Sequence, residues 1–148
     1  MAKILPKGKG VWVPIDHGVT DFPCVGLENI EATITAIIAG GANVIVAHKG
    51  VVDKYSHLCE GTATSMIAHL SASTRHGGKN HSNKVLVGDV DEAIMRGAVG
   101  VSVQANIGSK KESTMLQRMG HITSEAFLNQ VPVLGMLYVR GENVNLMK

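Results

Sequence analysis

The 148-residue chain is long enough for one domain with its own core, and 45% apolar against 18% charged residues argues against a disordered segment. A net charge of +2, spread over scattered lysines and arginines, leaves no basic stripe for nucleic acid or an anionic membrane surface. Two cysteines, Cys24 and Cys59, are too few for a disulfide framework. With no signal-peptide pattern, they point to a reducing cytoplasm, and no apolar run approaches the roughly 20 residues of a membrane span.

In chain order, "VWVPID" is an apolar run that stops on Asp16 and His17, the pattern of a strand buried on both faces in a parallel sheet. Pro14 fits the middle of such a strand poorly, because it cannot donate to the ladder. Leu27, Ile30, Ile34, Ile37 and Ile38 recur at helical spacing, which predicts a helix from Glu28 to Ala39 closed by Gly40 and Gly41. "NVIVAHKG" repeats the opening theme as a second strand. The segment 51–64 is too polar and glycine-bearing for a long helix. "MIAHLSAST" predicts a third strand over 67–72. "VLVG" has a strand pattern, but reads here as a loop leading to the capping pair Asp89 and Glu92. "IAGGANVIVAHKG" and "MRGAVGVSVQANIG" are one unit written twice: a helix end, Gly-Ala, a strand and a polar tip. Ser109 with Glu112 forms a capping-box pair, followed by Met115, Met119, Ile122 and Ala126 on one helix face. The expected strands lie near residues 11–16, 43–48, 67–72, 99–106 and 132–138.

In parallel α/β folds ligands sit beyond the carboxyl ends of the strands. The polar strand ends here are Asp16, His17, His48, Lys49, His69, Ser71, Ser73, Gln104, Asn106, Tyr138 and Arg140. Alternation lets only about half of them face inward together. Asp16, Lys49 and Tyr138 are chemically complementary: a carboxylate, an amine and a phenol. Lys49 reads either as an imine-forming amine or as an ion-pair partner of Asp16, and the residues alone favour ion pairing or ligand binding. Three histidines and an aspartate near strand ends could hold zinc, but the tight His-x-His and His-Glu-x-x-His spacings are missing. The basic tract from Arg75 to Lys84 has no aromatic for base stacking and reads as a solvated loop. "GGKNHSNK" lacks the Gly-Lys-Ser/Thr of a phosphate loop.

"VPIDHGVTDFPCVGLENI", "GGANVIVAHKG", "HLSAST", "KVLVGDVDEAI", "VSVQANIGS" and "MLYVRG", in this order, resemble the class I aldolases of the archaeal fructose-bisphosphate aldolase family. They are most similar to its branch of 2-amino-3,7-dideoxy-D-threo-hept-6-ulosonate synthases, which serve an alternative route to 3-dehydroquinate and the aromatic amino acids. The resemblance implies a TIM barrel, imine chemistry without metal or other cofactor, a phosphorylated sugar substrate and a homo-oligomer. It implies that Asp16 and Tyr138 transfer protons. His17, His48, Lys49 and Arg140, at the same strand ends, are candidate substrate contacts. Val139 stands where the family usually has proline, and Gln104 where it often has histidine.

The family's imine-forming lysine lies on the strand after the one carrying Tyr138, and the sequence stops at Lys148 before such a strand. A TIM barrel takes about 250 residues. The expectation is therefore a partial (β/α)8 barrel of about five parallel strands, forming a single domain over residues 1–148 that is inactive in this form. Fructose-bisphosphate cleavage and a non-catalytic half-barrel that assembles with another subunit are the alternatives.

Overall fold

A computed structural model describes residues 4–78 and 81–144. Five strands form one parallel sheet: β1 (Trp12–Pro14), β2 (Val44–His48), β3 (Ser65–His69), β6 (Val101–Ile107) and β7 (Val133–Val139), in the order β1-β2-β3-β6-β7. β4 (Ser71–Ala72) and β5 (Val85–Leu86) pair antiparallel beside it. The helices are α1 (His17–Thr20), α2 (Ile30–Ala39), α3 (Lys49–Tyr55), α4 (Val90–Met95) and α5 (Glu112–Leu128). The sheet curls into part of a TIM barrel, with the helices between its strands. Lys148 lies outside the described residues.

Alternation sorts the strand residues into two cores. Ile45, Ala47, Met66, Ala68, Val101 and Val103 pack with Ile34, Val52, Ile122 and Ala126 of the helices. Val44, Val46 and Ile67 instead face the concave side with Ile4, Trp12, Leu134 and Met136. The Trp12 indole donates to the Ile4 carbonyl at 3.1 Å, fixing this apolar floor at the amino end of the strands. Pro14 is tolerated because β1 borders the sheet and ends there. The ladder resumes at once, from the Ile15 N–H to the Val46 carbonyl.

The Gly-Ala corners have one geometry. After α2 the N–H of Gly41 bonds the Ile38 carbonyl and that of Ala42 bonds Ile37; after α4, Gly97 bonds Ile94 and Ala98 bonds Ala93. Each is a Schellman close whose glycine takes a positive φ, +78° at Gly41 and +94° at Gly97. α5 ends in the same way, Gln130 to Phe127 and Val131 to Ala126, but with glutamine at φ 56°.

Three readings need correction. "VLVG" does contain a strand, because Val85 and Leu86 find Ala72 and Ser71 as partners; Asp89 then caps α4, accepting from the Glu92 N–H at 2.8 Å. The third strand of the main sheet begins at Ser65 and ends at His69 rather than running over 67–72. The Ser109 and Glu112 pair is offset from a capping box: Glu112 accepts from the Gly108 N–H and Ser109 from the Lys111 N–H.

Candidate functional site

A cleft of about 280 Å³ opens at the carboxyl ends of the strands, lined by Asp16, His17, Lys84, Gln104, Tyr138 and Arg140 among others. Parallel pairing puts every strand tip at the same edge of the sheet, so residues far apart in sequence converge there. Asp16 and His17 come from the β1 exit, with Asp16 immediately before the single turn of α1. Tyr138 lies on β7 opposite Asn106 of β6, and the guanidinium of Arg140 stacks 5.6 Å from the Tyr138 ring centroid. Gln104 is buried and donates to Asn106 Oδ1 at 2.8 Å, and Asn106 in turn donates to the Ser82 carbonyl at 2.7 Å.

Below the mouth runs a polar row set by strand register. Val46 pairs with both Pro14 and Ile67; two residues on, His48 pairs with His69, and His69 with Ser102. Asp16, two residues beyond Pro14, continues the row on the β1 side. His69 is 1% exposed; its Nδ1 lies 2.7 Å from Ser102 Oγ and its Nε2 3.6 Å from Asp16 Oδ2. His48 is half-buried, with Nδ1 3.1 Å from the His69 carbonyl. Burial lowers the pKa of both imidazoles, that of His69 to about 4, although the Asp16 carboxylate pulls in the opposite direction.

Asp16, His17, Tyr138 and Arg140 thus share one cleft, with His48 in the row beneath. Lys49 does not line it. Its ammonium contacts both carboxylate oxygens of Glu92 at 2.9 Å, and Glu92 also receives Arg96. Lys49 is thus an ion-pair partner, but of Glu92 rather than the expected Asp16, because α3 begins at Lys49 and turns the side chain towards α4. The lysine that does reach the cleft is Lys84, on a segment whose composition predicts a solvated loop. It is 5% exposed, its Nζ lies 3.4 Å from Thr20 Oγ1, and desolvation lowers its pKa. The loop is pinned over β6 and α5: Arg118 donates to the Lys84 carbonyl at 2.7 Å, and Ser82 meets Ser109 at 3.1 Å. The only sequence signal for this was the apolar "VLV" directly after Lys84. Among the described residues no group of three or more His, Cys, Asp or Glu is placed to hold a metal ion, and no helix is long and apolar enough to cross a membrane.

Residues 10–147 match the profile of the DeoC/LacD family aldolase. A 2-amino-3,7-dideoxy-D-threo-hept-6-ulosonate synthase of Halobacterium salinarum is 36% identical over 133 residues, covering 90% of this chain and 49% of that protein. A 2-amino-4,5-dihydroxy-6-oxo-7-(phosphonooxy)heptanoate synthase of Streptomyces griseus is 34% identical over 90% of this chain and 48% of its own length. Among solved structures, an archaeal fructose-1,6-bisphosphate aldolase superposes with a TM-score of 0.79 at 23% identity, over 95% of this chain and 56% of that one. The chain spans about half the length of the curated relatives it matches.

Proposed function

Because this chain belongs to the DeoC/LacD aldolase family, we propose that it is the acid/base-bearing half of an imine-forming aldolase or transaldolase-like enzyme acting on phosphorylated sugars. The observation that carries this reading is the convergence of Asp16, Tyr138, Arg140 and Lys84 on one cleft at the strand tips. The Asp16 carboxylate accepts a proton from the substrate, and the Tyr138 phenol returns one as the carbon–carbon bond is remade. Arg140 and the Lys84 ammonium face the anionic oxygens of the sugar phosphate. His17 orients a hydroxyl at the same mouth, and His48 supports the site from the row below. The amine that condenses with the ketone, releasing water, is supplied by a strand outside these 148 residues, within a cytoplasmic homo-oligomer. The relationship to the synthase of Halobacterium salinarum favours heptulosonate formation over fructose-bisphosphate cleavage.

Fructose 1,6-bisphosphate is a usable probe of the cleft. Titrated into the isotopically labelled chain, it should shift the resonances of His17, Lys84, Gln104 and Arg140, and Arg140→Ala should weaken binding by about tenfold or more. Binding elsewhere, or equal binding by the variant, would overturn the assignment. Borohydride added with the sugar phosphate should leave the 148 residues unmodified. An adduct on Lys84 or Lys49 would move the imine onto this chain.

A further inference from the structure

His69 is a titratable side chain that no proton transfer above uses, and it is placed between two groups that decide its protonation. Its Nδ1 is 2.7 Å from Ser102 Oγ, while its Nε2 has no hydrogen-bond partner among the described residues and points at Asp16 Oδ2, 3.6 Å away. Ser102 is fully buried on β6, so this is not a hydrolase-type triad in which an exposed serine attacks substrate. The order of groups is the reverse, with the serine at the closed end and the carboxylate at the cleft.

Two neutral tautomers are available. If Nδ1 carried the proton, it would donate to Ser102 and leave the Nε2 lone pair facing a carboxylate oxygen, acceptor against acceptor. If Nε2 carries it, the Ser102 hydroxyl donates to Nδ1 and the imidazole presents N–H to Asp16. Only the second arrangement places a donor opposite every acceptor in the row. Such pairing matters most where water cannot substitute. The imidazolium would also present two donors, but burial of a ring this deep opposes it.

We propose that His69 is a positioning residue: held by Ser102 as the Nε2–H tautomer, it presents a fixed donor to Asp16 and sets the direction of that carboxylate in the cleft. This rests on the reading of Asp16 as the proton acceptor. The 3.6 Å separation leaves the donor short of a full hydrogen bond, and a small inward turn of the carboxylate would complete it.

Long-range proton–nitrogen NMR of the labelled chain at neutral pH reads the tautomer without turnover or ligand. The His69 signals are assigned by their loss in His69→Gln. The wild-type ring is expected to show a protonated Nε2 and a bare Nδ1. Asp16→Ala removes the acceptor and Ser102→Ala the locking donor, so each should shift the ring towards a mixture of tautomers. Ser102→Thr keeps the hydroxyl and should restore the wild-type pattern. A wild-type ring protonated at Nδ1, or a tautomer indifferent to both alanine variants, would sink the proposal. The wild-type spectrum decides the first point even where an alanine variant fails to fold. Loss of sugar-phosphate binding with the tautomer intact would instead count against the aldolase reading alone.

Discussion

Strands β2 and β7 carry the same kind of sequence and sit in different surroundings. In β2, Val44, Ile45, Val46 and Ala47 are all at most 1% exposed, held between the concave floor and the helices α2 and α3. In β7, Leu137 is 60% and Val139 70% exposed, and Phe127 and Leu128 at the end of α5 are more open still. A continuous apolar run therefore encodes a strand meant to be covered on both faces. Whether the cover is present is decided by other parts of the molecule.

The largest test of this contrast is a pair of truncations. Ile45→Ala should cost about 2–5 kcal/mol in chemical denaturation, the range for emptying a well-packed core position. Leu137→Ala should stay within about 0.5 kcal/mol, as at an exposed site. Comparable losses at both would mean that β7 is covered in solution, by another copy or another segment.

A second test uses pH, because the covered side holds histidines and β7 has none. Burial takes the His69 pKa from 6.5 down to about 4, and the His48 pKa is lowered as well. Below pH 6.5 the unfolded chain binds protons that the folded chain refuses, so stability is full above 6.5 and falls as the pH drops towards 4. His69→Gln should flatten that part of the stability profile, while substitutions in β7 leave its slope unchanged.

The smallest expected effect concerns the helix ends. Gln130 occupies the left-handed position that glycine fills at Gly41 and Gly97. Gln130→Gly should stabilise by about 0.5–1 kcal/mol in thermal or denaturant unfolding. Gly97→Ala should move the other way, and by more than Gly41→Ala. A Cβ at Gly97 would lie 2.6 Å from Ser56 Oγ, whereas Gly41 faces open space.

These elements also mark how far the sequence could be read. The Gly-Ala corners were legible because glycine advertises a positive φ, and the polar strand ends were legible because parallel pairing gathers them at one edge. The α5 corner hides behind a glutamine. Asp16, His48 and His69 were among those legible strand ends, but Ser102 and its pairing with His69 were not, since they depend on register between strands, 33 residues apart at the His69–Ser102 contact and further apart at Asp16–His69. Lys84 escaped because loop composition says nothing of what a loop packs against. Lys49 misled because the first residue of a helix can turn away from the strand tip it follows.

The apolar floor has an electrostatic consequence. Ile4, Val46 and Ile67 seal the amino end of the concave face, while the carboxyl end opens on charged side chains. Field lines from Asp16 cannot spread into a floor that polarises so weakly, so they are funnelled outward through the mouth. The curled sheet thereby acts as an electrostatic lens. An anion arriving beside Lys84 and Arg140 is coupled to the state of the carboxylate more strongly than the same charges would be on a flat, solvated surface.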